Sequence, residues 1–112
     1  MARRKMVIVD PEKIEWKRVE HLLKGAWTRV LRQDKETGIV VLLFRTDKGF
    51  RHPREKHSSD ESGVVLEGKA VDDKGTEIKR GMYYFIPAGV EHGPFSTPEG
   101  CIILIHLSPP KF

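Results

Sequence analysis

Gly81-Met82-Tyr83-Tyr84-Phe85-Ile86-Pro87-Ala88-Gly89-Val90-Glu91-His92 is the stretch that decides the fold. Its glycine opens a run of strand-forming residues, and Pro87 and Gly89 then turn the chain so that His92 stands just past the strand end. Upstream lies a complement, Glu55-Lys56-His57-Ser58-Ser59-Asp60-Glu61, which leads through the apolar Val64, Val65 and Leu66 to Gly68. Each segment couples a strand to a glycine turn and sets imidazole and carboxylate groups where strands end. A barrel gathers metal ligands onto its inner face in this way.

Outward from these segments, turn signals recur roughly every ten residues. They fall at Asp34–Gly38, Asp47–Gly49, Ser59–Gly63, Asp72–Gly75, Arg80-Gly81 and Pro98–Gly100. The runs between them are rich in Val, Ile, Leu, Phe and Tyr, which is the pattern of an all-β sandwich or barrel, and a jelly roll accommodates every one. Ala26–Arg32 alternates polar and apolar residues as a half-buried strand does. Ile39–Phe44 and Ile102–Leu107 are continuously apolar, so both of their faces should be covered by a sheet, a helix or a partner subunit. From Met82 to Ile86, alternation puts Tyr83 and Phe85 on one face and Met82, Tyr84 and Ile86 on the other, and only one set can point inward. Ahead of this β-rich body, Lys5–Val9 is expected as an edge strand. Pro11–Lys24 carries Ile14, Val19, Leu22 and Leu23 at roughly helical spacing and is expected as a short N-terminal helix ending at Gly25.

With 112 residues the chain has room for a single domain, 1–112, and one core. The formal charge of +4 is weak evidence for nucleic acid, because Arg3, Arg4 and Lys5 supply three of those charges and leave the body near neutral. No nucleic-acid partner is expected. The apolar stretch Met6–Val9 is too short for a signal sequence or a membrane span before Asp10-Pro11 interrupts it, so no membrane partner and a cytoplasmic location are expected. A single cysteine, Cys101, excludes an intrachain disulfide, suits a reducing compartment and reads as a small core residue. The two apolar runs hold more hydrophobic strand surface than one small sandwich covers easily, so a homodimer is expected, with Met6–Val9 at or near its interface.

The two segments quoted first resemble the two motifs of the cupin superfamily. Against the second motif, G-x5-P-x-G-x2-H-x3-N, the chain supplies Gly81, Pro87, Gly89 and His92 in register, with Ser96 where Asn is usual. Against the first, G-x5-H-x-H-x(3,4)-E-x6-G, it supplies His57, Glu61 and Gly68 in register, and Gly49-x3-Pro53 resembles the usual approach to the two histidines, while Glu55 stands where the first histidine belongs. The resemblance runs from about Trp27 to about Leu107 and implies a double-stranded β-helix, or cupin barrel, over about 26–108. In finer pattern the chain is similar to small cupins of the anti-sigma-factor and acetylacetone-cleaving dioxygenase types.

What the resemblance implies chemically is a divalent metal held by His57, Glu61 and His92, with Glu55 a possible fourth ligand. Two imidazoles and a carboxylate with open positions suit Fe(II), and Mn, Ni or Zn can occupy the same set. A Glu55 turned inward would add charge and favour Fe(II) or Mn(II) over Zn; turned outward it would pair with Arg54 or Lys56. The implied activity is an Fe(II)-dependent dioxygenase acting on a small organic molecule. The alternatives are a binding or sensor module for a metal or small ligand, and a metal-free scaffold. Of the other histidines, His106 reads as a core residue, His52 as a strand entry beside Pro53, and His21 as surface.

Overall fold

The computed structural model describes residues 4–22 and 24–109. Among the described residues there are nine strands: β1 (Lys17–Arg18), β2 (Ala26–Gln33), β3 (Val40–Thr46), β4 (Phe50–His52), β5 (Asp60–Asp72), β6 (Glu77–Lys79), β7 (Tyr83–Ile86), β8 (Phe95–Thr97) and β9 (Cys101–Ser108). Every pairing between them is antiparallel, in the order β1-β2-β3-β9-β5-β8-β4, with β6 and β7 also on β5. The all-β cupin barrel expected from the sequence is the fold observed.

β5 is the hub. Its first half pairs with β9 and β7, and its second half with β6 and β8, so one strand serves both sheets. The change of sheet follows an irregularity in register between Val65 and Glu67, since an extra residue in a ladder bends the strand and increases its twist. Gly68 completes the bend with φ +73°, and a Cβ there would lie 2.1 Å from the Gly100 carbonyl oxygen. Only glycine fits a left-handed residue against another backbone at that distance.

Alternation along the strands fills the barrel. Glu61, Gly63 and Val65 of β5 point inward, as do Cys101, Ile103 and Ile105 of β9. Ala26, Phe44, Phe50 and Leu22 complete the core cluster. Val65 is 1% exposed; burying such a side chain contributes about 1.5–3 kcal/mol. Of the two possible faces of β7, Tyr84 and Ile86 are the ones turned inward, with Tyr83 and Phe85 left exposed. His106 alternates with the inward residues of β9 and so lies on the outer face rather than in the core.

Three local expectations are corrected. The helix expected over Pro11–Lys24 is one 3-10 turn, Pro11–Lys13, capped by the Asp10 carboxylate, which accepts from the Glu12 amide at 3.0 Å. Ile14 is already extended, β1 joins the edge of β2, and Val19 and Leu22 pack onto the barrel instead of onto a helix face; Leu23 lies outside the described residues. Trp16 is fixed by the guanidinium groups of Arg29 and Arg45, at 4.3 and 4.6 Å from its ring centroid, contacts worth more to an extended chain here than propensity is to a helix. Lys5–Val9 belongs to no strand of the described residues, and Met6 and Ile8 are each 86% exposed. The turn expected at Ser59–Gly63 is instead the start of β5, where Glu61, Ser62 and Gly63 pair with β9 and β7. No helix among the described residues is long and apolar enough to cross a membrane.

Candidate metal centre

Two segments that flank short strands are clamped together at one end of the barrel. Glu55 and His92 form an isolated antiparallel bridge, with the Glu55 amide donating to His92 O at 2.9 Å and the His92 amide to Glu55 O at 2.8 Å. The Gly89 amide donates to His57 O at 2.8 Å, which ties the Pro87–Gly89 turn to the same stretch. Paired residues of an antiparallel bridge project to the same side, so the backbone brings the Glu55 and His92 side chains together before any side-chain contact is counted.

The result is a cluster in which a donor atom from each of Glu55, His57 and His92 lies within 4.8 Å of the others. His57 and His92 meet edge to face, with centroids 4.8 Å apart. His57 Nε2 donates to Glu55 Oε1 at 2.5 Å. Glu61 reaches the same ring from the other side, its Oε1 3.1 Å from His57 Nδ1. That approach lacks hydrogen-bond geometry, so Nδ1 is buried without a partner. Glu61 Oε2 accepts from the Tyr84 hydroxyl at 2.5 Å.

His57 therefore sits between two carboxylates. A neutral imidazole has one N–H and can serve only one of them, so Glu55 takes the His57 proton and Glu61 depends on the Tyr84 hydroxyl. Burial raises the Glu55 carboxyl, but the hydrogen bond from His57 and the neighbouring His52, His57 and His92 outweigh it and hold Glu55 below its ordinary value. Tyr84 is displaced the other way: burial and then the Glu61 carboxylate push its phenol well above the ordinary range, so it remains a donor. One carboxylate and two imidazoles that converge, with a buried nitrogen left over, fit a divalent cation.

The cluster lines a cavity of about 340 Å³, at the low end of the ~300–1,000 Å³ usual for small-molecule sites. Leu42, Phe44, Ile103 and Ile105 supply apolar walls, and Val19, His21 and Thr28 also line it. His52, which the sequence marks only as a strand entry, is 6% exposed and lines the cavity too. Its Nδ1 donates to Pro53 O at 2.8 Å, its ring stacks on Phe95 with centroids 4.7 Å apart, and its Nε2 lies 3.5 Å from Glu55 Oε1. Tyr84 was likewise legible only as one of two alternating aromatic sets. A period-two count gives no sign of which face holds the cavity.

A family model of the ChrR cupin-like domain matches residues 4–111. The chain belongs to this cupin family. An uncharacterised protein of Streptomyces coelicolor is 32% identical over 90 residues, covering 78% of this chain and 83% of that one. Among solved structures, the polyketide cyclase RemF of Streptomyces resistomycificus superposes with a TM-score of 0.76 at 27% identity, covering 93% of this chain and 80% of that one. The acetylacetone dioxygenase of Acinetobacter johnsonii superposes with a TM-score of 0.76 at 16% identity, covering 96% and 76%. Against the general cupin motif, this ChrR-type cupin departs at Glu55, and that departure is the residue bridged to His92.

Proposed function

We propose that this cupin binds one divalent metal among Glu55, His57 and His92 and acts as a metal-dependent enzyme on a small organic molecule, with Fe(II)-dependent dioxygenation as the favoured reaction. The observation that carries the reading is His57 held between two carboxylates in a cavity whose other walls are mainly apolar. A divalent cation there would add counter-charge beside both carboxylates. Two imidazoles and one carboxylate with open positions are a donor set that suits Fe(II), and the absence of thiolate from that set disfavours softer metals. The metal, when bound, supplies a Lewis acid and, as Fe(II), electrons for O₂.

The chain's own residues do the rest. Leu42, Phe44, Ile103 and Ile105 keep water from the site, which strengthens every electrostatic contact inside it. Tyr84 keeps its proton and holds Glu61. His21 and Thr28, polar groups on the cavity lining, are placed to meet the polar end of a substrate.

The test is elemental analysis of protein purified without added metal, then oxygen uptake after anaerobic Fe(II) loading with acetylacetone as the first probe. About one metal per chain, lost in His57→Ala and His92→Ala, is the expected result. Absence of stoichiometric metal under all loading conditions would sink the reading. Metal bound without oxygen uptake would favour a redox-neutral reaction, a second reading supported by the likeness to the polyketide cyclase RemF, or a binding module.

A further inference from the structure

We propose that Glu55 is the carboxylate that faces the metal, and that Glu61 and Tyr84 are positioning residues that hold His57 from behind. The proposal rests on the metal-centre reading above. It exchanges the roles that sequence position alone would give the two glutamates.

The two nitrogens of His57 meet different surroundings. Nε2 lies 2.5 Å from Oε1 of Glu55, the carboxylate that clusters with His57 and His92. Nδ1 is buried and faces Glu61 Oε1 at 3.1 Å, with no other partner. An imidazole that ligates through one nitrogen commonly gives its other N–H to a carboxylate, which fixes the tautomer and the ring plane. Glu61 Oε1 is the acceptor nearest that nitrogen, and a small rotation of the carboxylate or the ring would bring the pair into hydrogen-bond geometry.

Glu61 is also held away from the cluster. Its second oxygen accepts from Tyr84 Oη at 2.5 Å, and the residue is 8% exposed at the start of β5. Turning it toward the cluster would strip a part-buried phenol of its acceptor. Glu55 makes its side-chain contacts to His57 Nε2 and His52 Nε2, on the cluster side, and its backbone is bridged to that of His92. The chain of contacts therefore runs Tyr84 hydroxyl, Glu61 carboxylate, His57 Nδ1; with a cation bound, His57 would carry its proton on Nδ1 instead of on the Nε2 that now meets Glu55, and Nε2 would offer its lone pair.

Zn(II) serves as a diamagnetic probe. In ¹⁵N-histidine NMR of the Zn(II)-loaded protein, His57 should be metallated through Nε2 and carry a slowly exchanging Nδ1–H. Metallation through Nδ1 would overturn the proposal, because the metal would then lie on the Glu61 side. Chelator competition gives the second readout: Glu61→Gln and Tyr84→Phe should weaken Zn(II) ten- to a hundredfold, and Glu55→Gln at least tenfold more than either. In Glu61→Ala the Nδ1–H should exchange fast, and Glu61→Gln, whose amide oxygen can still accept, should restore part of the protection. Equal losses for Glu55→Gln and Glu61→Gln, or an unchanged affinity in Tyr84→Phe, would overturn the assignment while leaving the metal centre standing. A wild-type protein that binds no Zn(II), Fe(II) or Mn(II) would overturn the metal centre itself.

Discussion

Gly63 leaves the space that the Tyr84 ring occupies: a Cβ at residue 63 would lie 2.5 Å from Tyr84 Cε2 and 2.7 Å from its hydroxyl oxygen. The two residues are directly paired between β5 and β7, and the absent side chain lets the ring cross the strand to reach Glu61, two residues away. The motif's variable positions thus include one where size, not backbone freedom, is decisive, since Gly63 is not among the positive-φ glycines.

Gly63→Ala is accordingly expected to displace Tyr84 and to destabilise the protein by about 1–3 kcal/mol in urea unfolding, the usual range for overpacking. In a Tyr84→Ala background the same substitution should cost close to nothing. Equal costs in the two backgrounds would show that the contact is not the cause.

Asp72 lines the same cavity without belonging to the donor cluster, and it offers a pH-dependent test. Its Oδ1 accepts from the amides of Thr76 at 2.8 Å and Lys74 at 2.9 Å, and the Thr76 bond foremost holds its carboxyl below the ordinary value. A carboxyl lowered on folding stabilises above its unfolded pKa, about 3.9, and that stabilisation is lost as pH falls through the folded value. Asp72→Asn keeps the acceptor oxygen but removes the charge. Its urea midpoint should lie below wild type at neutral pH, with the gap closing below about pH 4. A gap independent of pH would contradict the assignment.

Cys101 should behave as core, not as chemistry. It is 4% exposed and burial pushes its thiol up to about 11. Native protein at about pH 8 should leave a disulfide-exchange reagent unreacted, and denatured protein should consume one equivalent. Rapid reaction in the native state would mean that β9 opens far more readily than its pairing implies.

Assembly remains a proposal drawn from the surface. Met6, Val7 and Ile8 are 86%, 63% and 86% exposed, and Tyr83 and Phe85 on β7 are 65% and 54% exposed. A two-fold dimer that covers these groups predicts a mass near twice 12.8 kDa in sedimentation equilibrium. Ile8→Glu should shift it toward one chain. A single-chain mass for the wild type at micromolar concentration would rule the dimer out.

The strand runs, the glycine turns and the pair of motif segments were legible in the amino-acid order because each depends on local chemistry: period-two burial, positive φ at glycine, and proline at a turn. The N-terminal helix was misread for the complementary reason. Val19 and Leu22 have apolar partners on the barrel, and Trp16 has two guanidinium groups on neighbouring strands, none of which is visible to a count of spacing. Sequence also named the candidate ligands His57, Glu61, His92 and Glu55, but not how they divide. That division depends on long-range geometry: the Glu55–His92 bridge, the Tyr84 hydroxyl reaching across Gly63 to Glu61, and His52 locked between Pro53 O and Phe95. Residue type and spacing determined which side chains could hold a charge at this end of the barrel; only the tertiary structure decided which of them face one another, because contacts between strands far apart in sequence set both the distances and the desolvation.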